Sequence, residues 1–352
     1  MLATQQPVLR RFWYPVIRVD DLRDGPKPFR LMGEDLVLWL TEAGVPQVAE
    51  DRCAHRSARL SLGWVDGDKI VCPYHGWNYD GTGACTLMPQ TPDRPAGRAR
   101  VRAFNAEERY GYVWVCLGEP LTGIPELGEA SDSRYRVIHQ FYEVWKTAGL
   151  RLMENSFDNA HFSFVHRGTF GQFDHPLPAK LSIEEKEFGF RFNTVAPVNN
   201  PAQQKKLLNM ETDTTDRYMT SDWFMPFGRR LHIRYPNGLE HAIITYATPI
   251  DDAHSMICQW AYRTDTEEEA PAAEVIAFDR EVTAEDKRVL ESTDHDTPLD
   301  TASGEERHMP SDQPGMVMRK MVLALLSRFG EEEARGPEAR IRMREALNEK
   351  AS

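Results

Sequence analysis

The sequence is short of basic residues. Forty-two lysines and arginines face 54 acids, for a formal charge of −12. That disfavours a nucleic-acid binder, which usually carries a basic face. The acidic balance reads as a solvated surface, with steering of a charged partner as the more specific alternative. Long apolar runs are also missing. Met321 to Leu326 (MVLALL) is among the longest, far below the roughly 20 residues that cross a bilayer. The N-terminus MLATQQPVLRRFWYPV has no continuous apolar core and no small-residue cleavage site, so no leader is read and the expected place is the cytoplasm. Cysteine is scarce as well: five residues (Cys53, Cys72, Cys85, Cys116 and Cys258) in 352 do not make a disulfide scaffold.

The 352 residues suffice for two domains. Between 8 and 150, short runs rich in β-branched and aromatic residues, such as LVLWL (36–40), KIVCPY (69–74) and YGYVWVCL (110–117), alternate with turn signals such as DGD and DGTG. This pattern predicts many short antiparallel strands. The stretch 145–167 predicts a helix, and strand patterns return over 180–262. Helices are predicted over 271–293 and about 314–330, followed by a charged tail over 331–352 read as a surface helix or frayed end. Strands first, then mixed elements, point to an α+β chain of two domains.

Two of the cysteines stand beside histidines. Cys53-Ala-His55 and Cys72-Pro-Tyr-His75 are separated by sixteen residues, and each tight loop offers one thiolate and one imidazole. Zinc would accept such a Cys2His2 set. Zinc spacings, however, usually group cysteine with cysteine. The mixed loops suit a [2Fe–2S] cluster with two thiolates on one iron and two imidazoles on the other. Such a group carries one electron at a time.

A second pair of histidines, His161 and His166, lies in ENSFDNAHFSFVHRG (154–168). Five residues apart, they would point about 140° from each other on an ideal helix, so they share a metal only if the helix ends or distorts between them. A non-heme Fe(II) site needs a third, anionic ligand. On the helix predicted over 271–293, Val275, Phe278, Val282 and Val289 form an apolar stripe, and Asp286 falls in its gap. An unpaired carboxylate there is costly. A buried salt bridge would remove that cost, and so would a metal. Its neighbours Glu285 and Lys287 are expected to point elsewhere.

CAHRSARLSLGWVDGDKIVCPYHGW (53–77) resembles the Rieske cluster motif, and Asp158, His161 and His166 match the Asp-x-x-His-x-x-x-x-His helix of the terminal components of Rieske non-heme iron oxygenases. AEDKRVLES (284–292), DRCAHRSARLSLG (51–63) and ERYGYVWV (108–115) resemble the caffeine-type N-demethylases among them. The resemblance spans most of the chain and is weakest from 185 to 270. Ala58 and Tyr74 stand where respiratory Rieske proteins carry a further disulfide, and Trp77 replaces their serine. This points to the lower-potential ferredoxin or oxygenase branch, and more than 200 residues beyond the cluster exceed a ferredoxin's need.

The resemblance implies a β-rich Rieske domain over 1–135 and a catalytic domain over 136–352 with a helix-grip-like antiparallel sheet covered by helices. It implies one [2Fe–2S] cluster on Cys53, His55, Cys72 and His75, and one mononuclear Fe(II) on His161, His166 and Asp286. Asp158 would bridge His161 to His75 of a neighbouring subunit in a homotrimer, and Asn155 and Glu154 are candidates for shaping the iron pocket. Trp223, Phe224, Phe227, Tyr246, Trp260 and Tyr262 are candidate pocket walls, each also at home in a core. The implied activity uses O2 to hydroxylate a C–H bond of a small heterocyclic or aromatic compound, with oxidative N- or O-demethylation releasing formaldehyde. Cis-dihydroxylation of a ring and a non-catalytic electron carrier are the alternatives. No glycine-rich nucleotide loop occurs, so electrons would come from a separate NAD(P)H-dependent reductase with flavin and [2Fe–2S] groups, or from a ferredoxin.

Overall fold

The computed structural model describes residues 1–93, 97–174, 176, 180–339 and 341; most of the charged tail expected after 331 lies outside them. The chain divides into two compact units, one of Leu9–Ile124 and one of Met1–Val8 with Pro125–Ser352. The sequence reading put the junction at 135/136. The segment before that point belongs with the second unit because buried Glu129 forms an ion pair with Arg230 of its sheet.

Among its described residues the first unit holds ten short strands: β1 (Tyr14–Arg18), β2 (Lys27–Leu31), β3 (Glu34–Leu40), β4 (Pro46–Glu50), β5 (Trp64–Asp66), β6 (Lys69–Val71), β7 (Asn78–Tyr79), β8 (Cys85–Leu87), β9 (Asn105–Arg109) and β10 (Tyr112–Cys116). They pair antiparallel in three sheets, ordered β1-β10-β9, β2-β3-β4 and β5-β6-β7-β8. Val37, Trp39, Leu60, Ile70 and Tyr79 form one fully buried cluster that also contains Cys53 and Cys72.

The second unit is built on a seven-stranded antiparallel sheet, ordered β11-β17-β16-β15-β14-β13-β12. In chain order its elements are β11 (Arg136–Trp145), α1 (Gly149–Ser156), α2 (Phe162–Val165), β12 (Leu181–Lys186), β13 (Gly189–Asn199), α3 (Ala202–Leu208), β14 (Thr214–Phe224), β15 (Gly228–Arg234), β16 (Glu240–Pro249), β17 (Ser255–Arg263), α4 (Ala272–Leu290) and α5 (Gln313–Arg328). Strand alternation is clean on β13, where Phe192, Thr194, Ala196 and Val198 are buried and the residues between them exposed. Helix α4 follows Pro271, with Glu274 in its first turn and Lys287 and Arg288 in its last, each on the side favoured by the helix dipole. Its Val275 and Phe278 pack on Ile138 of β11 and Leu207 of α3. The architecture is the α+β one expected, a β-rich unit and a large antiparallel sheet covered by helices.

Two local expectations are corrected. The helix over 145–167 is two short helices, because Trp145 is still in β11 and the backbone leaves the helical path at Phe157. Val289 is 41% exposed and lies off the α4 stripe. The 3.6-residue period drifts past a seven-residue repeat over a helix this long. No helix among the described residues is long and apolar enough to cross a membrane.

Candidate cluster and metal sites

In the first unit Cys53 and Cys72 sit in loops with the same hydrogen-bond pattern. The Cys53 N–H donates to the Ala58 carbonyl and the Ser57 N–H to the Cys53 carbonyl; the Cys72 N–H donates to Trp77 and the Gly76 N–H to Cys72. The residue four after each cysteine is left-handed, Ser57 at φ 61° and Gly76 at φ 68°. Each loop thereby curls its cysteine inward and its histidine outward. Both thiols are buried, within hydrogen-bonding reach of each other. The rings of His55 and His75 lie 4.6 Å apart at the outer end. Burial pushes the Cys72 thiol up, so a thiolate there needs a metal. A buried sulfur pair below a more exposed imidazole pair fits the donor set of a Rieske cluster. Trp77 stacks on His55 at 4.7 Å. The sequence reading missed Tyr79, whose hydroxyl lies 3.1 Å from the Cys53 sulfur and also accepts from the Ala54 N–H.

In the second unit His161 and His166 flank α2, one at each end. The chain turns sharply after this helix: a side chain on Gly171 would meet the Phe162 carbonyl oxygen at 2.1 Å. The two Nε2 atoms converge to 3.2 Å. Asp286 of α4 places Oδ1 at 3.6 Å from His161 Nε2 and 3.4 Å from His166 Nε2. Each imidazole is held from behind. The Asp158 carboxylate lies 3.3 Å from His161 Nδ1, and Glu285 lies 2.9 Å from His166 Nδ1. A carboxylate accepts, so each Nδ1 carries the proton and each Nε2 presents its lone pair. Two lone pairs facing each other repel unless a cation lies between them. Neighbouring ligands at about 2.1 Å from a metal are about 3 Å apart at right angles, close to the spacing found. The three residues thus fit a two-histidine, one-carboxylate metal site.

The electrostatics agree. Burial alone would raise the Asp286 carboxyl, but His166, His161 and Asn155 outweigh it and hold it below the ordinary carboxylate range. Burial also opposes a charge on His166, yet Asp286 and Glu285 raise its pKa. The same acids would favour a metal cation. Asn155, in the last turn of α1, donates its amide to Asp286 Oδ1 at 3.1 Å. Glu154 does not shape this site; it turns away to Arg319 of α5 at 3.0 Å. Glu285, expected to point elsewhere, is part of the site, and Thr169 Oγ1 also donates to it at 2.8 Å. One position is only about 100° around a helix, and the longer glutamate side chain covers that offset.

A cavity of about 140 Å³ opens on His161, His166 and Asp286. Tyr246, Trp260 and Tyr262 are not its walls. His241 and Thr245 of β16, and Gln259 and Arg263 of β17, line the cavity, so strand alternation turns those three aromatics to the opposite sheet face. Trp223 and Phe227 are buried in the core. The walls are instead Phe162, Phe170, Leu231 and Phe278, with a set of buried polar residues among them.

Residues 12–105 match the Rieske [2Fe-2S] domain, and residues 145–328 match the vanillate O-demethylase oxygenase C-terminal domain. The chain belongs to the Rieske non-heme iron oxygenases. It is 34% identical to methylxanthine N1-demethylase of Pseudomonas putida over 86% of each chain, and 32% identical to methylxanthine N3-demethylase of the same organism over 83% of each. The solved structure of the P. putida CBB5 N1-demethylase NdmA with caffeine superposes with a TM-score of 0.80 at 30% identity, covering 93% of this chain and 94% of that one. The chain is therefore an oxidoreductase of the oxygenase kind, with a Rieske [2Fe–2S] domain, and oxygenases of this family use a separate reductase.

Proposed function

We propose that this oxygenase removes an N- or O-bound methyl group from a small ring compound. With X as N or O, R–X–CH3, O2, two electrons and two protons give R–XH, formaldehyde and water. The observation that carries the reading is the convergence of His161, His166 and Asp286 on one point at the cavity. Cys53, Cys72, His55 and His75 hold the cluster in this reading, and the three residues of α2 and α4 hold one Fe(II). Iron there supplies O2 activation when bound. The protein's part is positional. Asp158 and Glu285 keep both Nδ1 protons in place, Asn155 orients the Asp286 carboxylate, and Phe162 and Phe170 exclude water from the chamber. Support comes from the relatives, which include N-demethylases and a 5,5'-dehydrodivanillate O-demethylase oxygenase subunit of Sphingobium. The exposed side chains Leu62, Trp64 and Tyr74, the last against the ring of His75, suit docking of a reductase or of a second copy in a homotrimer.

The test is a single turnover. Reduced, iron-loaded protein is mixed with N-methyl and O-methyl ring compounds, O2 is admitted, and formaldehyde is measured. About one formaldehyde per iron site is expected; a ring diol in its place would sink the demethylase reading. A second expectation concerns Glu285→Gln. Loss of the carboxylate behind His166 should weaken iron binding by about 10–100-fold, measured by competition with a chelator, with the cluster absorption unchanged.

A further inference from the structure

The polar residues of the cavity fall into two groups. One group is fully used. Thr245 Oγ1 donates to Gln259 at 2.8 Å, the Gln259 amide donates to Gln140 at 3.0 Å, and the Gln140 amide donates to Asp279. This chain of bonds crosses from the sheet to α4 and rigidifies the wall.

The other group is buried and unused. Arg217 is 7% exposed. Its side chain makes no hydrogen bond or ion pair among the described residues, and its Nε is enclosed without a partner. Gln204 is 2% exposed, with both polar atoms of its amide unpartnered. His241 is 4% exposed, and its Nε2 has no partner. Its other nitrogen, Nδ1, lies 3.4 Å from Arg263 Nη1. A guanidinium can only donate, so Nδ1 accepts and the unpartnered Nε2 carries the proton. Burial, then Arg263 and Arg217, push the His241 pKa well below its ordinary value, which keeps the ring neutral. All three residues line the cavity, as does Arg229, whose Nε is also enclosed without a partner but which lies in the field of Asp286.

Arg263 differs from Arg217, because Asp265 and the Leu207 carbonyl hold it. Asp279 is an acid whose field reaches Arg217, but Gln140 already donates to it and Arg263 shares its charge ahead of Arg217. It makes no ion pair with Arg217 among the described residues. A buried guanidinium with no ion-pair partner is costly, so a bound anion is a natural contact for it. Arg217 Nε, His241 Nε2 and Gln204 Nε2 are enclosed donors that lack an acceptor among the described residues. A carboxylate, which accepts through two oxygens, meets that surplus.

Position supports the match. The Arg217 guanidinium lies 4.4 Å over the Phe170 ring, and Phe170 stacks on His166 at 4.7 Å. The Phe170 ring thus touches both the cation and His166, and all three line the same cavity. The cavity, about 140 Å³, is of the size that takes a single benzene ring.

We propose that Arg217, with His241 Nε2 and the Gln204 amide, binds the carboxylate of a single-ring aromatic acid and directs its far end toward His161, His166 and Asp286. This rests on reading the cavity as the substrate chamber, and it separates this chain from relatives that act on methylxanthines, of which caffeine carries no charge. Arg217 is the specificity-determining residue of that chamber.

The test is binding to the holoenzyme, without reductant, by calorimetry. The probes are 4-methoxybenzoate and its neutral isostere 4-methoxybenzamide. The acid should bind at least about tenfold more tightly than the amide, as expected when a charge-assisted pair replaces a neutral one. In Arg217→Met the acid should weaken by about 30-fold and the amide by less than about threefold. Arg217→Lys should keep part of the preference. Equal or tighter binding of the amide, no binding of either probe, or equal losses for both in Arg217→Met would overturn the proposal. The wild-type comparison decides even if the variants fold poorly. Formaldehyde is assayed separately: acid binding without formaldehyde would refute demethylation and leave the anion site standing.

Discussion

Replacing His161 by alanine is expected to cut the iron content from about three atoms per chain to about two, since the cluster accounts for two and the site at α2 and α4 for one. The visible absorption of the cluster should not change, because its four candidate ligands lie in the other compact unit. Formaldehyde release should fall by at least about 10³-fold, as several kcal/mol of Lewis-acid assistance disappear. The physical basis is the 3.2 Å approach of His161 Nε2 to His166 Nε2: one donor and one carboxylate remain, too few to hold the metal firmly. An unchanged iron content would move the mononuclear site elsewhere and remove the basis of the proposed chemistry. Metal analysis by mass spectrometry on washed protein decides the point.

Asp158→Asn should separate metal binding from electron delivery. Asp158 lies 3.3 Å from His161 Nδ1, accepts from the Ala160 N–H at 2.7 Å, and is only partly buried. It can therefore serve His161 and still present an edge to a neighbouring copy, where His75 is the expected partner. Asparagine preserves size and keeps one acceptor oxygen, so both metals should stay bound. The negative charge that would draw a proton on each side is lost. Turnover should drop by about 10²-fold or more, the scale on which misplacing a positioned group acts. Rapid-mixing absorption should show the reduced cluster persisting after O2 and substrate are added. Cluster reoxidation at the wild-type rate would refute the bridging role.

Much of the candidate metal site was legible in the residues. Asp286 stood out as an acid in the gap of an apolar helical stripe, and the structure places it beside both histidines. Asp279, seven residues earlier on the same face, was not singled out, because a stripe cannot tell an acid held by Gln140 from one set beside two histidines. Glu285 was misjudged, since periodicity fixes the direction of a Cα–Cβ bond and not the reach of a longer side chain. The break at Phe157 had a readable signal in Asp158 and Asn159, both turn formers, overshadowed by the apolar residues around them. Arg217 carried no signal at all: an arginine on a strand is ordinary until its neighbours are known to offer it no carboxylate.

By itself the sequence determined the candidate donor sets and the class of chemistry. Cysteine and histidine at fixed short spacings in two loops, and two histidines with an acid upstream, restrict which metals can bind, because ligand type and local spacing are properties of a few adjacent residues. The tertiary structure alone decided how those donors meet and what they face. Convergence of His161 and His166 depends on where α2 begins and ends. The partners of their Nδ1 atoms depend on how α4 lies against that turn. The unpaired guanidinium of Arg217 depends on every strand and helix that walls the cavity. Direction, reach and unmet charge arise from packing among residues far apart in the chain, and spacing along the sequence does not encode them.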